Sequence, residues 1–274
     1  MNEIQNSPQL KSLKVLITGD ACWDHYHYGD VDRISPEAPV PVFNYIQTHI
    51  KSGMAANVND NILKLCDYKN ADHIFAAHFV EKKNRYIDRK FRQQLFRVDE
   101  SLSDVDRAKA FEKAKIAITE MGVNLVIISD YNKGTLSYEE IEMLISLSKE
   151  KNATVFIDTK KQDLKRFEGA FVKINDTEFK ARKSDCTNTI VTRAENGVVM
   201  YPGSDWAPLW FPVKPIEFVD VTGAGDTFLA SVAFMYHITK DIGRSIMFAN
   251  MASRVTIQHR GCYAPTLKEI LNET

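Results

Sequence analysis

The chain has 274 residues, 44% of them hydrophobic and 26% charged, with a formal net charge of −1. That length and composition suit one substantial core and a single folded domain over residues 1–274. Interspersed, near-neutral charge leaves no basic stripe to track a phosphate backbone, and no apolar run reaches the ~18 residues that cross a bilayer. Nucleic acid and membrane are therefore not expected as partners. The polar start from Met1 to Leu13 carries no leader signature, which makes a cytoplasmic location the expectation. Cys22, Cys66, Cys186 and Cys262 are widely spaced, with no C-x-x-C pair, and read as reduced, buried thiols.

In chain order, Lys14 to Thr18 is a short apolar run ending at Gly19-Asp20, a buried strand emptying into a ligand-side loop. Trp23 to Ile50 alternates aromatic, charged and Pro-punctuated residues, which predicts the extended edge strands of a small β flap. Ala55 to Leu65 has helical spacing, and Ile74 to Val80 and Gln94 to Val98 again read as extended. Helices follow over Ala108 to Met121 and Tyr138 to Lys149, alternating with strands over Asn124 to Ile128 and Thr154 to Ile157. Alternation of this kind predicts a parallel sheet. Strands over Phe171 to Ile174, Thr189 to Val191 and Val198 to Met200 precede two helices, Asp226 to His237 and Ile242 to Gln258.

The densest chemical signal is Asp220-Val221-Thr222-Gly223-Ala224-Gly225-Asp226, which runs straight into the apolar stretch Thr227 to Phe234. Glycines let backbone approach a ligand closely, and a helix start turns unpaired N–H groups outward. Such a turn suits the negative charge that develops on a transferred phosphoryl group. A carboxylate beside it suits the proton of an attacking hydroxyl. Asp226 also reads as a helix N-cap, a position aspartate favours, and the pattern alone leaves both roles open. His25 and His27 share one face of an extended segment, but no third ligand at metal spacing joins them.

These residues resemble the ribokinase family of sugar kinases, whose C-terminal signature is matched by DVTGAGD at 220–226. The stretch RISPEAPVPV at 33–42 is similar to the heptose-7-phosphate kinase branch of that family. Further similar segments recur in order, among them Gly19 to Asp24, Ala55-Ala56-Asn57-Val58, Gln93 to Asp99, Ser129 to Gly134, Ile157 to Lys160 and Val191 to Arg193. The resemblance spans nearly the whole chain.

It implies an α/β fold of ribokinase-like type, a three-layer α/β/α sandwich whose mostly parallel sheet carries a small β lid from about 22–50 and 74–98. The implied activity moves the γ-phosphate of ATP to a hydroxyl of a sugar or sugar phosphate bound between lid and sheet. Mg²⁺ would bridge the phosphates, and there is room for a monovalent cation. Asp226 would be the base and Gly223, Ala224 and Gly225 the anion hole. Asp24, Gly53, Asn57 and Asp130 would face the substrate, with Asp24 and Asn57 on sugar hydroxyls. Arg33, Arg97, Lys133 and Lys160 are candidates to meet phosphate on ATP or on the sugar. Asn175 and Glu178 match an N-x-x-E element tied to Mg²⁺ through water, and Thr192, Arg193, Gly197, Thr222 and Asn250 match the nucleotide surroundings. Apart from the resemblance, Asp24 reads as a loop carboxylate, Asn57 as a cap, Asn175-Asp176 as a turn, and each cation as a solvated surface charge.

Three features depart from the family pattern. Met54 follows Gly53 where a second glycine is usual, so a side chain is expected where backbone nears the sugar. The chain is shorter by roughly two dozen residues between Leu65 and Arg85, and by about a dozen between Phe179 and Thr189, the lengths of whole helical connections. Such losses are expected to bare a sheet face or edge, which favours a homodimer through the lid. A same-fold kinase for another sugar or a nucleoside, a non-catalytic sugar or nucleotide sensor, and a purely structural dimerisation module remain open beside the sugar-phosphate kinase.

Overall fold

The computed structural model describes residue 4 and residues 7–67, 72–102, 107–203 and 207–273. A ten-stranded sheet runs through them in the order β10-β9-β8-β7-β6-β5-β1-β3-β4, with β2 paired to β1 alone. The strands are β1 (Lys14–Ile34), β2 (Pro41–Met54), β3 (Asp72–Asp88), β4 (Gln93–Ser101), β5 (Leu125–Asp130), β6 (Thr154–Thr159), β7 (Phe171–Asn175), β8 (Thr189–Thr192), β9 (Val198–Tyr201) and β10 (Leu209–Phe211). From β3 to β8 through β1 the pairing is parallel, and β9 runs antiparallel to both of its neighbours, β8 and β10.

Strand periodicity of two divides the core into two layers. Val15, Ile17, Leu125, Ile127, Phe156 and Ile190 face one side, where they pack against α1 (Pro8–Lys11), α2 (Ala55–Leu65), α6 (Ala224–Thr239) and α7 (Ile242–Ile257). Leu16, Val126, Ile128, Val155 and Ile157 face the other, under α3 (Arg107–Glu120) and α4 (Tyr138–Glu150). α6 is apolar on nearly all sides and almost entirely buried, as its place between α2, α7 and the sheet requires. Short helices α5 (Asp176–Ala181) and α8 (Leu267–Leu271) complete the layers.

Sequence reading ends the first strand at Gly19-Asp20, but β1 continues unbroken to Ile34. The backbone exchanges partners there: pairing with β5 stops at Gly19↔Ser129, and pairing with β2 begins at Ala21↔Met54. β3 likewise passes from core to lid, through a bulge opposite Ala21/Cys22. The lid is thus the outward continuation of two central strands, flanked by β2 and β4.

Among the described residues, the core half of β3 beside the first shortened segment is an edge of the sheet, since β4 pairs only with Glu81 to Asp88, and Phe75, Ala77 and Phe79 there are only partly buried. Ala114, Ala117 and Ile118 of α3 pack with Leu16 and Ala76, while Trp23 stacks on Phe79 at 4.3 Å on the opposite side. Phe179 and Cys186 fill the end near β8. Residues 68–71, inside the first shortened segment, lie outside the described residues.

Gly19 is required where β1 leaves the core. Its φ is 118°, and a Cβ there would stand 2.1 Å from the Ser129 carbonyl oxygen. Gly19→Ala is expected to cost roughly 2–4 kcal/mol through backbone strain and loss of the β1–β5 approach. Urea denaturation would measure it, and an unchanged midpoint would refute the account.

Candidate active site

The glycine turn joins two cavities. Helix α6 begins at Ala224, two residues earlier than its periodicity predicts, because Gly223 adopts the left-handed conformation (φ 82°) and serves as N-cap without a side-chain bond. Asp226 is therefore the third helical residue and not the cap. A Cβ on Gly223 would lie 2.8 Å from Asn57 Nδ2 and 3.3 Å from Cys262, so only glycine admits those neighbours. Asp220 braces the turn: its carboxylate accepts from the Thr222 amide (2.9 Å), the Thr222 hydroxyl (2.7 Å) and the Gly261 amide (2.8 Å).

Asp226 is 3% exposed, and each of its oxygens is held from a different element. Asn57 Nδ2, on α2, donates to Oδ2 at 2.9 Å, and the Tyr131 hydroxyl, just beyond β5, donates to Oδ1 at 2.9 Å. Asn57 is thus a partner of the carboxylate and not a cap of its own helix. Burial raises the Asp226 pKa to about 6; the two donors and Lys173 oppose the rise, and nearby Asp158 adds to it.

On the lid side, Asp24 is buried and ion-paired with Arg85 of β3, with Cys262 Sγ 3.7 Å from Oδ2. A Cβ on Gly53 would fall 2.7 Å from Asp24 Oδ2, so glycine lets β2 pass this carboxylate. Met54, expected near the sugar, is 3% exposed in a small cluster with Cys22 and Val80. Its φ of 57° turns the side chain into that cluster. A cavity of about 300 Å³ opens beside Asp220, Thr222 and Gly261, and Lys51, Arg85, Arg92 and Arg260 bring four cations to it. Lys51 ties lid to turn by donating to the Arg260 and Cys262 carbonyls at 2.8 and 2.9 Å.

The second cavity is a cleft of about 1150 Å³ along the C-terminal ends of β6 to β8. Ala224 and Gly225 form part of its wall, together with Asp158, Lys160, Lys173, Asn175, Glu178, Thr192, Arg193, Gly197 and Asn250. Trp210, Ile216, Phe218 and Ile257 give it an apolar side. Asn175 and Glu178 form a capping box for α5, in which each side chain bonds the other's amide at 2.9 and 2.7 Å. Lys160 pairs with Glu178 at 2.7 Å and lies over the Tyr131 ring. Arg193 pairs with Asp176 at 3.1 Å and faces Trp210.

Five predicted site residues stand elsewhere than expected. Arg33 is exposed on the distal lid, and Arg97 pairs with Asp99 at 2.8 Å; neither lines either cavity. Asp130 reaches the cleft wall, but its carboxylate is taken by Lys161 (2.9 Å), the Thr159 hydroxyl (2.6 Å) and the Asn132 amide (3.1 Å), which pins the loop that carries Tyr131. Thr222 lines the lid-side cavity and not the nucleotide-side cleft, because Asp220 holds its hydroxyl there. Lys133 sits near the lid, paired with Glu81 at 3.0 Å. His27 is engaged by Thr48 (2.7 Å) and Asn84 (3.1 Å), and no cluster of three or more His, Cys, Asp or Glu residues arranged for a metal occurs among the described residues.

Sequence reading missed Tyr131, Arg85, Lys51, Arg260, Asp158 and Lys173. Tyr131 and Asp158 lie in segments the resemblance marks without giving them a role, and Lys173 left a local signal as a lone charge inside the apolar run Phe171-Val172-Lys173-Ile174.

The raised Asp226 pKa fixes a stability trend. The folded-state value lies above the unfolded one, so this group contributes stability that is present at pH below about 4 and is lost as pH rises through about 6. Asp226→Asn is expected to be more stable than the parent by roughly 1–3 kcal/mol near pH 8, with the advantage vanishing towards pH 4. Melting temperatures across that range test it; a variant less stable at pH 8 contradicts it.

The chain matches the model of the pfkB family carbohydrate kinases over residues 43–269. It is 30% identical over 305 residues to the bifunctional protein HldE of Proteus mirabilis (strain HI4320), across 93% of this chain and 62% of that protein, so it spans less than two thirds of this relative's length. In fold it is similar to Escherichia coli phosphofructokinase-2 solved with fructose-6-phosphate, with a TM-score of 0.68 at 13% identity over 95% of this chain and 97% of that one. Thermotoga maritima ribokinase gives a TM-score of 0.68 at 14% identity, over 95% and 98%. The two-cavity architecture, the glycine turn between the cavities and the family match together establish that this chain belongs to the pfkB family of carbohydrate kinases.

Proposed function

We propose that the chain transfers the γ-phosphoryl group of ATP to a hydroxyl of a phosphorylated sugar, of the kind used by heptose-7-phosphate kinases. The observation that carries this reading is Asp226, a buried carboxylate in the first turn of α6, between a cleft of nucleotide size and a lid-side cavity with four cations. Asp24 would accept from a sugar hydroxyl once Arg85 is drawn toward the sugar's phosphate. The adenine ring would lie on the apolar side of the cleft, beside Trp210, Phe218 and Ile257.

In the reaction, Asp226 would take the proton as the acceptor oxygen attacks the γ-phosphorus, and Asn57 and Tyr131 would hold its carboxylate in plane. Charge building on the γ-phosphoryl oxygens would meet the N–H groups of the first turn of α6. The donor set fits magnesium held largely by phosphate and water, since Asn175 and Glu178 offer oxygen at the cleft and no protein cluster competes for it among the described residues. When bound, that ion would neutralise phosphate charge. Exposed Tyr45, Ile50, Phe96 and Val98 on the lid support pairing of two copies there.

ADP release from Mg-ATP, measured with heptose 7-phosphate, ribose, fructose, mannose and a nucleoside, tests the reading. The phosphorylated sugar is expected to turn over fastest, and Asp226→Asn to lower kcat by about 10²–10⁴-fold. The kcat/KM profile is expected to fall on the acid side near pH 6, where Asp226 takes up a proton. Preference for an unphosphorylated acceptor would reassign the substrate class, and tight ATP binding without turnover on any acceptor would leave a sensor.

A further inference from the structure

We propose that Tyr131 and Met54 form a partition that shuts the Asp226 carboxylate off from water in the nucleotide cleft, so that a sugar hydroxyl arriving from the lid, and not water, receives the phosphoryl group. The inference rests on the kinase reading above and adds to it the device that prevents ATP hydrolysis while no sugar is bound.

Asp226 itself lines neither cavity. Tyr131 does line the nucleotide-sized cleft, and its hydroxyl ends on Asp226 Oδ1 at 2.9 Å. The tyrosine is therefore the group interposed between the cleft and that oxygen. Oδ2 is closed from elsewhere. Asn57, which holds it, is 2% exposed and is itself locked by Asn61 Nδ2, which donates to the Asn57 carbonyl at 2.8 Å and to Asn57 Oδ1 at 3.3 Å. Removing the phenol hydroxyl thus bares one oxygen of the base, on the side of the cleft.

The Tyr131 ring is held by several neighbours. Lys160 Nζ lies 5.1 Å and Lys83 Nζ 5.9 Å from its centroid, within the range of cation–π attraction. Its apolar body packs against the cluster of Cys22, Met54 and Val80. Met54 stands in that cluster at a conformational cost. Its backbone has φ 57° and ψ −132°, which a side chain disfavours and glycine adopts readily. Strain of this kind persists only where the surroundings demand it. What the residue supplies is a buried thioether chain in the cluster that backs Tyr131. Glycine at this position would relax the backbone and leave the ring less supported.

A phenol also suits the position chemically. Burial and the neighbouring Asp226 push its pKa up, so it stays a hydrogen-bond donor and a poor nucleophile. The step that the partition suppresses balances with water alone. A water O–H bond breaks, with its proton passing to Asp226; the water oxygen bonds to the γ-phosphorus; and the bond from that phosphorus to the β–γ bridging oxygen breaks, its electron pair leaving on ADP. A sugar hydroxyl undergoes the same exchange of bonds, so access to Asp226 is what separates the two acceptors.

ADP release from Mg-ATP, with and without heptose 7-phosphate, is compared on the parent chain, Tyr131→Phe and Met54→Gly, with melting temperatures to establish folding. The parent is expected to release ADP without sugar at under about one hundredth of its rate with sugar. Tyr131→Phe should raise the sugar-free rate on the order of 10-fold, and Met54→Gly, which leaves the hydroxyl and Asp226 in place, about three- to tenfold. In Tyr131→Phe the acid limbs of hydrolysis and transfer should move together to higher pH, since the charged carboxylate loses a donor and takes the proton in both reactions. A ratio of hydrolysis to transfer that stays at the parent's value in Tyr131→Phe overturns the partition and leaves the hydroxyl only a support of the base; Met54→Gly decides in the same way if that variant does not fold. A rise confined to Tyr131→Phe overturns the share given to Met54. A parent that phosphorylates the sugar yet hydrolyses ATP as fast without it overturns the partition and leaves the kinase reading standing, whereas a parent that releases no ADP under either condition overturns both.

Discussion

Keeping the Asp226 carboxylate out of water while holding both of its oxygens is the constraint around which the rest of the molecule is arranged. Its two donors come from α2 and from the loop after β5, 169 and 95 residues away in the chain. For Asn57 to arrive, Gly223 must lack a side chain. For Tyr131 to arrive, its loop must be pinned, which Asp130 does through Lys161 and Thr159. A buried carboxylate with two good donors keeps its negative charge at neutral pH, and its raised proton affinity makes it a better base than a solvated aspartate.

Around this centre the cations are held in pairs. Lys133 and Lys83 meet Glu81, Lys160 meets Glu178, Arg85 meets Asp24 and Lys173 meets Asp158. The pairs at the rim are partly exposed and screened, each worth at most about 1 kcal/mol, so a phosphate displaces their carboxylates at little cost. The pairs nearer the centre are dry and hold their geometry before any ligand arrives. Preorganisation therefore rises from the rim inward, in the order in which a phosphate would meet these groups.

Much of this was legible in the sequence. The strand and helix order, the glycine turn and Asp226 could be read because they depend on local periodicity and on residues adjacent in the chain. The cleft wall from Asn175 to Gly197 was legible by family resemblance. Tyr131, Arg85 and Asp158 were not, because each owes its place to a strand-end register set by pairing partners distant in the chain. Arg33 and Arg97 misled for the converse reason: a strand pattern reveals which residues are extended but not how far a lid strand has travelled from the core. Met54 misled because its direction follows from a positive φ that spacing does not encode.

β1 and β3 belong at once to the core and to the lid. A lid hung on loops would swing freely, whereas this one is a pair of cantilevered beams rooted in the core sheet beside β5. Where these beams leave the core, the ladder between them is interrupted at the bulge opposite Ala21/Cys22, where one residue of β3 is unpaired. That bulge lies beside Asp24, so any flexing of the lid is registered first at the carboxylate proposed to greet the sugar. Grip and closure would then be one elastic movement, and ligand specificity would be felt along the full length of the two strands.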